Sequence, residues 1–302
     1  MKASILFSGL LLGAALGCAR ESLPAPEKAE ITFSTVTGAT HADDPEEVRT
    51  LEVLVFRAES GHLDARECAY GTAPVSLSVS GGTPLRWYVL ANVDPSLTEG
   101  ITEERHLQER TLLLGRLDPE RPWMSACGSL SAASPGETVY VRLDRYACKV
   151  TLGQIRVEWI DAFVSAPEIV PGRMVLVDAA GSIPLSGEVS AEDLPLRESP
   201  ETTLDDAPVL TSEPRDMDAS LYGMPNVTPV PTRLAVELRI DGVPNWYPVL
   251  LPPMLRNHHY LIRTLTVLGP GADSPDAAVT RKEITFDACV EAWGFCAPEA
   301  GF

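Results

Sequence analysis

The residues able to carry chemistry begin near the N-terminus, where Ala15, Leu16 and Gly17 precede Cys18. Lys2 is the only charge before that cysteine, and Ile5 to Leu16 form one apolar stretch too short to span a bilayer. A cationic start, a short apolar run and a small residue at the cut site describe a signal peptide, residues 1–17. Gly17 directly before Cys18 also fits lipoprotein cleavage, in which the Cys18 thiol is acylated and heads the mature chain. The other reading is ordinary secretion, with Cys18 free or bridged. Five further cysteines, Cys68, Cys127, Cys148, Cys289 and Cys296, contain no CxxC pair, which argues against a zinc ribbon or a thioredoxin-like redox site. Export permits disulfides, but five thiols leave at least one over. Cys289 and Cys296 are spaced either to bridge a terminal bend or to be buried as small apolar residues. The pairing does not follow from sequence.

Other candidate chemistry is thin. The histidines are His41, His62, His106, His258 and His259. A metal needs ligands converging at about 2–2.6 Å, whereas adjacent His258 and His259 in a strand point to opposite faces. The HADD stretch at 41–44 is a weak cation candidate that reads better as a solvated acidic turn. No carboxylate spacing marks a glycosidase pair. Nucleophile elbows, Walker loops and HExxH are absent. GPGADSPD at 269–276 reads as a turn between strands. Neither an enzyme nor a cofactor is expected. Trp123, after Pro122 in a loop, is a candidate sugar platform, with core packing as the default for a tryptophan. Asn226-Val227-Thr228 forms a sequon to which little weight attaches.

Charge narrows the partners. The chain carries 24 basic and 42 acidic residues, a net charge of −18, and loss of Lys2 with the signal peptide makes it −19. Phosphate backbones and anionic lipid surfaces repel such a chain. Nucleic acid is not an expected partner, and membrane attachment must come from acyl chains.

The elements that would position these residues are mostly strands. Short apolar or alternating runs, broken by Gly, Pro, Asp and Asn, predict strands over 29–37, 50–57, 74–80, 85–92, 138–145 and 147–159. Further strands are predicted over 173–178, 233–241, 246–251, 259–268 and 282–293. Within 50–57, Leu51, Val53 and Val55 share one face, and Leu54 and Phe56 the other, so this strand should be central and covered on both sides. The Glu-, Gln- and Leu-rich run from Ile101 to Leu117 predicts the one helix. Pro-, Ser- and acid-rich 189–219 predicts long loops. Residues 18–28, with Pro24 and Pro26, suit an extended tether. Many short strands at this spacing predict an all-β chain of two tandem β-sandwiches, 29–146 and 147–302.

Several stretches, in order, resemble the fimbrillin family, the pilin subunits of the type V pili of Bacteroidales. The strongest is the RNHHYLIRTLTVLGPG run, Arg256 to Gly271, followed by ITFDACVEAW, Ile284 to Trp293. TLEVLVF at 50–56, WYVLANV at 87–93 and VRLDRYACKVTLGQIRV between the domains add to it. The likeness covers most of the chain except 161–219. It implies transthyretin-like sandwiches, lipoprotein export to the outer membrane and assembly by donor-strand exchange. In stalk subunits of that family, an arginine-specific protease cuts the loop after the first strand and removes lipid and strand together. The C-terminal strand segment of a neighbouring subunit then fills the groove.

Here the first strand is 29–37, with Ile31 and Phe33 as the residues that fill the groove. The following loop, Thr37 to Val48, contains neither Arg nor Lys. Arg49 abuts the next strand and is expected to be poorly accessible, while a cut at Arg20 would leave the first strand in place. This departure favours an anchor or accessory subunit that keeps its lipid on Cys18. Expected partners are other pilus subunits through strand donation, the outer membrane through Cys18, and host or bacterial surface ligands. The alternative is a surface lipoprotein that does not polymerise and binds a glycan or other ligand.

Overall fold

The computed structural model describes residues 28–36, 48–159, 165, 167–189, 197–198, 200–204, 209–277 and 284–292. Cys18, tether residues 18–27, loop residues 37–47, His41, Trp293 and Cys296 lie outside them, while Lys28, expected in the tether, begins β1. The first half forms β1 (Lys28–Val36), β2 (Thr50–Arg57), β3 (Leu63–Tyr70), β4 (Val75–Ser80), β5 (Leu85–Ala91), the single-turn α1 (His106–Glu109), β6 (Thr111–Leu113), β7 (Met124–Leu130), β8 (Glu137–Arg142) and β9 (Asp144–Arg145). The second half forms β10 (Cys148–Val157), β11 (Ile169–Val177), β12 (Ala179–Ala180), β13 (Ser182–Pro184), β14 (Arg197–Glu198), β15 (Glu201–Thr203), β16 (Arg215–Gly223), β17 (Arg233–Ile240), β18 (Val243–Leu250), β19 (His258–Val267) and β20 (Ile284–Ala292).

Two sandwiches result. A three-stranded sheet, β4-β1-β8, faces a five-stranded one, β3-β2-β5-β7-β9. Ile31, Phe33, Leu51, Val53, Val55, Leu77, Val89 and Val141 are buried between them. In the second sandwich, β16-β10-β19-β20 faces β15-β11-β17-β18 over Val150, Leu152, Leu176, Val236, Tyr260 and Leu265. Residues of period two supply both cores, as half-buried strands require. Strand β2 is covered on both sides, because Leu54 and Phe56 join a third cluster on the sheet's outer face.

That third cluster corrects the predicted helix. Within that run only His106–Glu109 is α-helical, a 3-10 turn follows at Leu114–Arg116, and Thr111–Leu113 instead pairs with Ser182–Pro184 of the second half. Leu107, Leu112 and Leu114 pack with Ile183, Leu185 and Met224, so tertiary burial overrides the local helix propensity. The 189–219 stretch is also less loop-like than predicted. Glu201–Thr203 is an edge strand on β11, and Arg215–Gly223 pairs with β10.

Candidate functional site: the first-strand groove

Strand β1 alternates strictly. Ala29, Ile31 and Phe33 are 1%, 0% and 0% exposed, whereas Glu30 is exposed and Thr32 half-buried. The polar row faces outward, where the Thr32 and Ser76 hydroxyls hydrogen-bond at 2.9 Å. Inward, Phe33 meets Trp87 of the opposite sheet edge-on, with ring centroids 5.6 Å apart. Trp87 lies over Gly128 of β7, where any Cβ would collide with the indole. Trp87 and Gly128 therefore support the Phe33 pocket, a role sequence reasoning missed because Gly128 sits in a strand it did not assign.

Strand β1 is the middle strand of its sheet. It runs antiparallel to β4, with Ile31 opposite Leu77 and Phe33 opposite Val75. It runs parallel to β8, with Phe33 opposite Val139. Without β1, two unpaired edges would face each other across a floor of Val53, Val55, Leu77, Val89 and Val141. Such a slot can accept an extended segment, which satisfies the backbone groups and fills the apolar pockets. Burying Ile31 and Phe33 stabilises the occupied slot by roughly 1.5–3 kcal/mol each.

The side chain of Arg49 is exposed, contrary to the sequence expectation. It borders an open cavity of about 360 Å³ with Asn92, Arg116, Arg121 and Trp123. Its backbone, however, is held on both sides. The Arg49 N–H donates to Asn92 Oδ1 at 2.8 Å, and its carbonyl accepts from Gly71 N at 2.9 Å. A protease cleft needs that main chain free, and here both of its backbone groups are engaged while the guanidinium is exposed.

The C-terminal strand β20 is an edge strand, paired antiparallel to β19. Phe286 is 44% exposed on it. The GPG turn does more than reverse the chain. Ala272 exchanges two backbone bonds with Trp246, at 2.8 and 2.9 Å, and closes the open edge of β18. A Cβ on Gly271 would lie 2.6 Å from the Trp246 carbonyl, so only glycine permits this approach.

The remaining candidates are structural. His258 bonds the Arg256 carbonyl at 2.8 Å and His259 the Thr151 hydroxyl at 2.9 Å, so the two do not converge. Trp123 is only 9% exposed and packs in the third cluster, with no more than an edge on the open cavity beside Arg49. Asn226 is 3% exposed. Its amide donates to Asp178 O, Val230 O and Thr232 Oγ1 and accepts from Thr228, so the sequon nitrogen is fully engaged. Cys68, Cys127, Cys148 and Cys289 are free thiols. Burial pushes Cys148 up to about 12, which makes it inert.

No protein-family model and no curated protein sequence matches the chain. Solved structures do. A cell-adhesion candidate from Parabacteroides distasonis superposes with TM-score 0.69 at 16% identity, covering 91% of this chain and 99% of that one. The fimbrilin of Porphyromonas gingivalis W83 gives 0.65 at 13% identity, over 88% and 98%. The tip fimbrial protein of the same species, truncated at its C-terminus, gives 0.58 at 13%, over 87% and 99%. At these identities the likeness concerns architecture, and on that evidence the chain has the two-sandwich fold of these fimbrial and adhesion proteins.

Proposed function

We propose that this chain is a fimbrillin-type structural subunit of cell-surface pili and not an enzyme, assembling with other subunits by strand exchange. The observation that carries the reading is the position of β1, a single N-terminal strand filling the centre of a sheet with Ile31 and Phe33. Its shared fold with fimbrial proteins supports the same reading.

Within that role we favour an anchor or accessory subunit. The loop 37–48 offers no Arg or Lys, and the backbone of Arg49 is tied to Asn92 and Gly71. The mature chain then begins at Cys18, acylated and held at the outer membrane. Residues 18–27 form its tether, and 28–146 and 147–302 its two domains. Intact-mass analysis of protein taken from native cells tests this. The expected species starts at Cys18 and carries acyl chains. A chain starting between residues 42 and 50 would overturn it. The non-polymerising, glycan-binding alternative draws no support from the tryptophans among the described residues, since Trp87, Trp123, Trp159 and Trp246 are all buried or half-buried.

A further inference from the structure

Arg256 and Asn257 stand where the two sandwiches meet, and neither is explained by strand exchange. Arg256 precedes β19 in the second half, yet its guanidinium reaches across to the first. Its Nη2 donates to Asp144 O and Ser125 Oγ, both at 2.8 Å, and to Ser125 O at 3.3 Å. Its Nε lies 3.4 Å from Arg145 O. The planar group also sits over the Tyr146 ring, 4.9 Å from the centroid. It thus grips the β7–β9 pair and the segment leading to β10 at once.

Asn257 completes the contact. It has φ of 57°, a left-handed conformation that asparagine tolerates. Its N–H donates to Ala147 O at 3.0 Å, its Nδ2 to Asp144 Oδ1 at 2.9 Å, and its Oδ1 accepts from Arg145 N at 3.4 Å. Glycine at residue 187 leaves room for the guanidinium in this position. Gly187 has φ of +74°, and any Cβ there would collide with Arg256. Two strands that each lie inside a different sheet are joined through this point, β7 of the first sandwich and β19 of the second. Strand β19 is also the one on which β20 pairs.

We propose that Arg256 and Asn257 form an interdomain latch that, added to the β6–β13 pair and the shared cluster around Leu112 and Ile183, fuses the sandwiches into one cooperative unit. The latch passes load from β20 through β19 directly into the first sandwich, bypassing residues 158–255. Its existence stands on the contacts alone, whereas the load path rests on the pilus-subunit reading. Arginine is required for this geometry, because one planar fork serves several carbonyls while stacking on Tyr146. A lysine ammonium keeps the charge but cannot do both.

Calorimetry of the full chain as a monomer tests the latch without reference to pili. The unsubstituted protein should unfold in one transition, with calorimetric and van't Hoff enthalpies equal. Arg256→Lys should split that transition in two, and so should Gly187→Ala, which displaces the guanidinium from the opposite element. Native-state hydrogen exchange supplies a second readout. In either variant, amides of β7 and β10 should exchange with different opening free energies, where the unsubstituted chain shows one common value. Two transitions in the unsubstituted chain, or a single transition that only shifts in both variants, would overturn the latch. A confirmed latch in a protein absent from filaments would instead overturn the pilus reading alone.

Discussion

Asp64 shows how one side chain can join two sheets. Its side chain is 3% exposed, and it accepts from the Ser80 N–H at 2.6 Å and the Ser80 hydroxyl at 2.7 Å. Arg57 Nε lies 2.7 Å away. Burial alone would raise its pKa, but the Ser80 bonds and the Arg57 charge together outweigh it and hold the carboxyl below its usual range. A depressed folded-state value means that Asp64 contributes stability at and above the unfolded value, near pH 4, and that this is lost as pH falls through the folded value. Asp64→Asn should therefore cost about 1.5–3 kcal/mol at neutral pH. The difference should shrink as the pH drops below 4, measured by urea unfolding of both proteins across pH 2 to 7. None of this was legible in the sequence, since nothing there says which arginine or serine Asp64 will meet. Arg49 shows the same limit. Its exposed side chain and bound main chain depend on Asn92 and Gly71, partners more than twenty residues away.

Alternation made most elements legible. Strands such as β2, β17 and β19 advertise themselves through apolar residues of period two. Those missed lack that signal. Strand β3 is an edge strand with half-buried and exposed residues throughout, and β7 carries Ala126 and Gly128 where Trp87 needs room. The helix misread over 101–117 arose because pairing of β6 with β13 joins residues some seventy positions apart, which no local window contains. The inward face of β1 was legible, since Ile31 and Phe33 are both fully buried. A sharp difference between the faces of β1 follows. Phe33→Ala should cost about 3–5 kcal/mol, as large-to-small changes in a core do. Thr32→Ala, on the outer face, should cost less than about 1.5 kcal/mol, the scale of one hydrogen bond. Denaturant midpoints compare the two directly. Equal effects would mean that β1 does not hold its sheet through the inward face.

At the scale of the whole molecule, composition and strand count pointed to two sandwiches, and the architecture agrees. What they could not convey is how firmly the two are joined. The Arg256–Asn257 contact, the β6–β13 pair and the shared cluster around Leu112 and Ile183 all depend on long-range geometry. The proposed anchor role, with the first strand retained and the C-terminal edge strand β20 offered to a neighbour, calls for a subunit whose two sandwiches move as one. Immunogold labelling of filaments on native cells tests that account most directly. The account predicts label on filaments, concentrated where they meet the cell. Label spread over the cell surface and absent from filaments would contradict it.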